Sequence, residues 1–445
     1  MHVVIIGNGI SGTSLARNLR KRSSCKITII SEESTYFFSR TALMYVYMGH
    51  MKFENIQPFE ANFWTKNQID LLNDRVQSVD HVNHRIVLEH GEELAYDKLV
   101  FATGSKPNFF QWKGQDLKGV QGLYSKQDLE SMEHYTKGIK SAVVVGGGLI
   151  GIEMAEMLLS RGIEVHFLVR ERKFWGSVLP EPEAQLIMKH LEKHHGLHMH
   201  YEEELEEIKG DLGGRAEKVI TKKGSEFEAQ FVGIAVGVHP NIEFLKDTGV
   251  ETNRGILINN YLETSLEDCY AIGDCAELRS AQSGRRPLEQ VWYTGRMMGE
   301  VLARNLGGER TEYLPGPWFN SAKFFDVEYQ TYGLVPAKRP EEQESFVWQH
   351  PKEDFLLHLV FDREGKIFRG INTFGIRLRH ELFDQWLREE RTVEYVLEHL
   401  ASANFDPEFY RHYEAEVIAR FNQQFETQIT LKKAMWWRKM LQAVN

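Results

Sequence analysis

The 445-residue sequence predicts an α/β protein in which one βαβ unit occurs twice, followed by a separate α+β domain. Three observations carry this. A β-branched run at residues 2–6 enters a glycine loop and then a helical stretch. The same order returns at residues 142–161, with its first glycine 139 positions after Gly7. Beyond Pro315 the pattern changes to alternating strands and then amphipathic helices.

Residues 2–6 (HVVII), 13–21 and 26–30 (KITII) read as strand, helix and strand, the start of a parallel sheet. Residues 84–88 and 97–102 read as strands around a polar turn. The unit repeats at 142–145, 149–161 and 163–169, with an amphipathic helix at 180–195 and further strands at 230–236 and 269–272. In the last third, 322–332, 344–349, 355–361 and 366–371 predict an antiparallel sheet, with Asp362-Arg363-Glu364-Gly365 as a hairpin turn. Helices are expected at 377–389, 392–400 and 407–425, the last opened by Asp406 as N-cap and Pro407 at the first helical position.

Composition narrows the class. Apolar residues make up 42% and charged residues 26%, the balance of a folded globular chain rather than a disordered or fibrous one. Lysine and arginine total 53 against 63 aspartate and glutamate, and the net charge of −10 argues against a nucleic-acid binder. Three cysteines (Cys25, Cys269 and Cys275) cannot build a disulfide framework, so the expected compartment is the cytoplasm. The first residues do not read as a signal peptide, and no run of 18 apolar residues occurs.

Two motifs carry chemistry. Gly7-Asn8-Gly9-Ile10-Ser11-Gly12 follows the first strand and opens the first helix. Gly7 permits the tight turn, Gly9 lets the backbone approach a pyrophosphate, and Gly12 allows close helix–strand packing. The helix start at Ile10 and Ser11 then offers N–H groups and a positive dipole end to phosphates. An acid is expected beyond the second strand to bind a ribose hydroxyl, and Glu32 stands there, 25 residues after Gly7. The second motif is Gly146-Gly147-Gly148-Leu149-Ile150-Gly151, in the same setting. Its second strand ends in Val169-Arg170-Glu171-Arg172-Lys173. Guanidinium groups grip a 2′-phosphate bidentately, so Arg170 and Arg172 favour NADPH, while Glu171 keeps NADH open. Both motifs read as Rossmann-like dinucleotide-binding sites.

Four elements in order make the resemblance specific: Gly7-x-Gly9-x-x-Gly12, Ala102-Thr103-Gly104, Gly146-x-Gly148-x-x-Gly151-x-Glu153, and Ala271-Ile272-Gly273-Asp274. The chain resembles the pyridine nucleotide–disulfide oxidoreductase superfamily over residues 1 to about 310. That resemblance implies a discontinuous FAD-binding domain (1–110 and 236–314), an inserted NAD(P)-binding domain (111–235) and a C-terminal α+β interface domain (315–445). It further implies that Asp274, after Gly273, bonds the FAD ribitol and that Val76 holds the adenine through its backbone. Thr103 and Gly104 would lie where the domains cross, Val236-Gly237-Val238-His239-Pro240-Asn241 resembles a family return motif, and Glu153 would lie near the nicotinamide amide. The same domain type implies a homodimer.

The chain departs from the disulfide reductases by having no cysteine between Cys25 and Cys269. Residues 37–45 read Phe-Phe-Ser-Arg-Thr-Ala-Leu-Met-Tyr instead, similar to the branch of ferredoxin, rubredoxin and nitrite reductases and apoptosis-inducing factor. Arg40 matches that branch, and Tyr45 stands where relatives often carry a lysine near flavin N5. The implied function is an FAD-dependent NAD(P)H oxidoreductase in which hydride passes from nicotinamide to flavin and electrons go on to an external acceptor. An iron–sulfur protein, a quinone and oxygen all remain open as that acceptor. Two other readings stand beside it: a redox-responsive FAD-binding signalling protein, and a membrane-associated quinone reductase. The last draws on residues 427–445, which hold four basic residues and no acid and suit an amphipathic helix touching the inner face of a membrane. His190, His194, His195, His198 and His200 crowd together, but no neighbouring acid in the sequence completes a metal site, so a solvated helix end and no metal are expected.

Overall fold

The computed structural model describes residues 1–281, 284–406 and 411–432. They fall into two compact units, residues 1–170 with 196–315, and residues 171–195 with those from 316 onward.

The first unit holds two five-stranded parallel sheets. His2–Ile6 lies at the centre of one, between Lys26–Ile30 and Lys98–Phe101, with Ile69–Leu72 and Cys269–Ala271 at the edges. Val3, Val4 and Ile5 are completely buried, as expected of a parallel strand covered on both faces. In the second sheet Ser141–Val145 is central, flanked by Glu164–Val169 and Val232–Ile234, with Leu197–Tyr201 and Val120–Gln121 outside them. The two crossings of the chain between these sheets, Ser105–Pro107 and Val238–Pro240, pair as an antiparallel ribbon. Helix Trp292–Leu306 packs on helix Ile10–Arg20 at backbone distance, because a Cβ at Gly299 would lie 2.5 Å from the Ser11 carbonyl oxygen.

The second unit is an antiparallel five-stranded sheet in the order Phe319–Phe324, Val327–Gly333, Phe368–Phe374, Leu356–Asp362, Gln343–Gln349. His380–Arg388, Val393–Glu398 and Glu414–Phe425 contribute to its core, where Phe346, Leu359, Phe361, Ile371, Phe383, Val396 and Phe421 are buried. Helix Glu181–Leu191 belongs to this unit. Its Glu183 is fully buried and accepts hydrogen bonds from His358 Nδ1 at 2.7 Å and from Asn372 Nδ2 at 2.9 Å.

Three expectations change. The run 322–332 is two strands, Phe319–Phe324 and Val327–Gly333, joined through Phe325 and Asp326, with Phe325 at φ +57°. The turn contains neither Gly, Pro nor Asn, so its sequence gave no break. The last helix begins at Glu414 with Tyr413 as its N-cap; Pro407 lies outside the described residues. Of the tail, residues 427–432 run without regular structure, with Lys432 Nζ 2.6 Å from Glu398; the rest lies outside the described residues.

Candidate dinucleotide sites

The first loop is fixed from within the chain at its outer glycines. Gly7 has φ +115°, and a Cβ there would sit 2.1 Å from the Ala102 carbonyl oxygen. A Cβ at Gly12 would meet the Gly7 carbonyl oxygen at 2.1 Å. Gly9 differs. Its φ is −66°, which any residue adopts, and a Cβ would touch no protein atom within 4 Å. The second loop repeats the pattern. Gly146 (φ +117°) lies against Ala235 and Gly151 against the Gly146 carbonyl and the Phe167 ring, whereas Gly148 has φ −115° and open space. Neither a positive φ nor a close protein neighbour calls for glycine at Gly9 or Gly148, and both backbone positions lie open to an approaching group. A pyrophosphate on a helix start is such a group. Gly9 and Gly148 are also the N-caps of helices Ile10–Arg20 and Leu149–Ser160, with no side chain to cap them.

The structure carries Gly273 and Asp274 to the first loop, since a Cβ at Gly273 would sit 2.5 Å from Ser11 Oγ. Asp274 is half-buried and accepts from Ser105 Oγ at 3.3 Å. Gln290 Nε2 donates to that hydroxyl at 2.7 Å, and the Ser105 amide donates to Tyr124 OH at 2.9 Å. Burial pushes the Asp274 carboxyl up to about 6, against the pull of Ser105 and the Arg40 charge. Thr103 Oγ1 donates to the Asn241 carbonyl at 2.7 Å, beside Gly104 (φ +69°) and Gly237 (φ +96°).

Glu32 is exposed, 3.4 Å from the guanidinium of Arg75, the residue before the buried Val76. Its neighbour Glu33 grips Arg40 at 2.6 and 2.8 Å and accepts from the Lys126 amide at 2.8 Å. Arg40 also donates to the Tyr124 carbonyl, and its guanidinium lies 4.4 Å from the Tyr124 ring centre. Arg40 thus ties the segment after the second strand to the start of helix Lys126–Tyr135. Tyr45 is half-buried and stacks on His50, while Tyr47 is fully buried, bonds Thr136 at 2.6 Å and carries the Arg161 guanidinium 3.5 Å over its ring.

In the second loop, Glu153 lies one turn into helix Leu149–Ser160, where burial and the neighbouring Glu156 push its carboxyl up to about 7. Leu149 and Ile150 are half-buried, and Arg170 is exposed directly after strand Glu164–Val169. Arg172 is exposed in the second unit.

Sequence reasoning missed Glu33, Ser105, Tyr124 and Gln290. Only one of these regions carried a signal: Ser125-x-x-Asp128 is a capping box, with Ser125 Oγ accepting from the Asp128 amide at 3.0 Å and Asp128 accepting from the Ser125 amide at 2.8 Å. The histidine reading also changes. His190 is buried rather than solvated, and the acids near it come from Asp326 and Asp354, far along the chain.

Two parallel sheets, each with a strand, a glycine loop and a helix in the same geometry, define a protein built to hold two dinucleotides. The family model for pyridine nucleotide-disulphide oxidoreductases matches residues 1–299, and the chain belongs to that family, whose members use FAD and NAD(P)H. It is 31% identical over 318 residues to "Nitrite reductase [NAD(P)H]" of Bacillus subtilis; the match takes in 71% of this chain but only 38% of that protein's length. It is 31% identical over 391 residues to "NADH oxidase" of Methanocaldococcus jannaschii, covering 82% of this chain and 86% of the relative. Among solved structures, the NAD-dependent persulfide reductase from A. fulgidus superposes with a TM-score of 0.83 at 22% identity, covering 96% of this chain and 84% of that one, which speaks for the fold alone.

Proposed function

We propose that this chain is an FAD-dependent NAD(P)H oxidoreductase that delivers electrons to an external acceptor without a redox disulfide. The observation that carries the proposal is the pair of middle glycines, Gly9 and Gly148, which no demand of the chain explains. Bound FAD would supply the chemistry, taking a hydride from NAD(P)H and releasing electrons one or two at a time. The protein supplies position and charge. Gly7, Gly9, Ile10, Ser11 and Gly12 would face the FAD pyrophosphate, with Glu32 and Val76 toward the adenosine end. Asp274 would hold the ribitol, supported by Ser105 and Gln290, with Ala102, Thr103, Gly104, Gly237 and Gly273 shaping the backbone around it. Arg40 would act from behind by fixing Glu33 and Tyr124, and Tyr45 would stand near the reacting ring. Gly146, Gly148, Leu149, Ile150 and Gly151 would hold NAD(P)H, and Glu153 its carboxamide. Arg170, with Arg172 two residues on in sequence, favours NADPH. The three-domain division and a homodimer belong to the same reading.

Stopped-flow spectroscopy under anaerobic conditions tests it. NADPH, and NADH more weakly, should bleach the flavin band, and a following screen of iron–sulfur proteins, quinones and oxygen should identify the acceptor. No bleaching by either nucleotide removes the proposal. Very slow turnover with every acceptor, joined to a change in hydrodynamic size on reduction, would favour the signalling reading. Among the described residues no helix is long and apolar enough to cross a membrane. We place the chain in the cytoplasm. Co-sedimentation with anionic vesicles of the full chain against one ended after Phe425 decides whether its basic tail adds a membrane contact.

A further inference from the structure

Helix Glu181–Leu191 carries His190 in its last turn, and the turn that follows brings His194 back beside it. The hairpin turn at Phe325 and Asp326 meets this pair. His190 Nε2 lies 3.2 Å from His194 Nε2 and 2.9 Å from Asp326 Oδ1, and His194 Nε2 is 3.9 Å from the same oxygen. Among the described residues this is the one group of three metal-ligating atoms within 4.8 Å of one another.

We propose that His190 Nε2, His194 Nε2 and Asp326 Oδ1 form a binding site for a divalent cation of the Zn²⁺ class, which pins helix Glu181–Leu191 to the turn between the first two strands of the C-terminal sheet. Four arguments support it. Tetrahedral ligands at bond lengths of about 2.0–2.1 Å lie roughly 3.3 Å apart, and the three separations here bracket that value. Second, the outer support is in place. His190 Nδ1 donates to Asp354 Oδ2 at 2.9 Å, which leaves the lone pair of Nε2 facing the other two ligands, the carboxylate–histidine–metal arrangement. Lys193 Nζ, at 2.6 and 2.8 Å, pairs with the same Asp354 carboxylate and fixes its position. Third, the ligand atoms come from two places far apart in the chain, the end of helix Glu181–Leu191 with the turn after it and the hairpin turn at Asp326, so the fold rather than local spacing brings them together. Fourth, the ring of Phe325 stacks on His194 at 4.1 Å and holds its plane, while Asp326 is exposed and leaves a path for the ion and for a water as fourth ligand. Two imidazoles and one carboxylate suit Zn²⁺, Co²⁺ or Ni²⁺ rather than Mg²⁺ or Ca²⁺.

The site rests on no assumption about the dinucleotides, and its test reads metal rather than turnover. The full chain, free of any histidine tag, is stripped with EDTA and titrated with Zn²⁺ by calorimetry and with Co²⁺ by absorption. One equivalent should bind, Co²⁺ should give ligand-field bands to the red of any flavin absorption, and Zn²⁺ should raise the unfolding temperature. H194A, at a half-buried position, and D326N, at an exposed one, should lose the stoichiometric binding and the thermal shift while keeping the native circular dichroism. D354N, which touches no metal, should weaken binding about 10- to 100-fold. Absence of stoichiometric binding in the wild type overturns the proposal. So does binding that survives in H194A and D326N, which would place the ion on other histidines such as His195 and His198.

Discussion

At the scale of single residues, the glycine loops were legible because the demands on them are local. Gly7 and Gly12 answer to backbone atoms a few ångströms away, and Gly9 holds the open middle position of a loop pattern common to many folds. Glu33, Ser105 and the acids around His190 were not, because their partners come from 7 to 185 positions away and share no spacing rule. Two predictions belong here. Arg170 stands exposed past the strand that ends the second βαβ unit. R170A should raise the dissociation constant of NADPH roughly 10- to 100-fold, the worth of a charge-assisted contact, and leave NADH nearly unchanged. Equal losses in titrations with the two nucleotides would show that Arg170 does not read the 2′-phosphate. Glu153 is held up to about 7 by burial and by Glu156. Its folded value is raised, so the carboxyl is neutral below about 7 and charged above. On the proposed placement a charged Glu153 would meet the anionic nucleotide unfavourably, so the KM for NAD(P)H should rise as pH climbs through that value. E153Q should flatten the KM profile; an inflection that persists in E153Q belongs to another group.

At the scale of elements, periodicity located the central strands and most of the helices, because burial on a face repeats with the geometry of the element, but it did not place Trp292–Leu306, the longest helix among the described residues, or Lys126–Tyr135. It failed where one side chain, not a pattern, sets the boundary. Phe325 takes φ +57° inside a strand-like run and folds it into a hairpin, against the preference of a bulky residue. Helix Glu181–Leu191 was expected to be amphipathic, and its hydrophobic face is indeed buried at Ala184, Leu186, Ile187 and Leu191. The periodicity gives no sign that the same face carries a fully buried Glu183, bonded to His358 on Leu356–Asp362 and to Asn372 on Phe368–Phe374. That carboxylate joins the helix to two strands at once. E183A strands two buried donors and should lower stability by about 3 kcal/mol, read as an earlier thermal transition. E183Q keeps an acceptor and should lose less. An alanine variant as stable as the wild type would mean that the contact is neutral.

At the scale of the whole molecule, the question is how electrons could leave without sulfur. The sequence holds no cysteine from position 26 to 268. The three that exist are poorly placed for redox work. Cys25 is half-buried just before strand Lys26–Ile30. Cys269 is buried in an edge strand, where desolvation pushes its thiol up to about 11. Cys275 follows Asp274 and so lies nearest the first loop, but it is fully buried, its thiol donates to the Phe101 and Ile272 carbonyls at 3.4 Å, and burial raises its pKa as well. Thiolate, not thiol, attacks and exchanges, so at neutral pH neither buried cysteine can relay electrons. On the proposed function, electrons from NAD(P)H would therefore reach the acceptor directly from the bound flavin. Two measurements follow from this. Alkylation of the native protein with N-ethylmaleimide should reach Cys25 at most and leave steady-state turnover unchanged. A C25S/C269A/C275A variant that retains its flavin should turn over as the wild type does. Loss of turnover in that variant, with the flavin band intact and still bleached by NAD(P)H, would put a sulfur back on the path between the nucleotide and the acceptor.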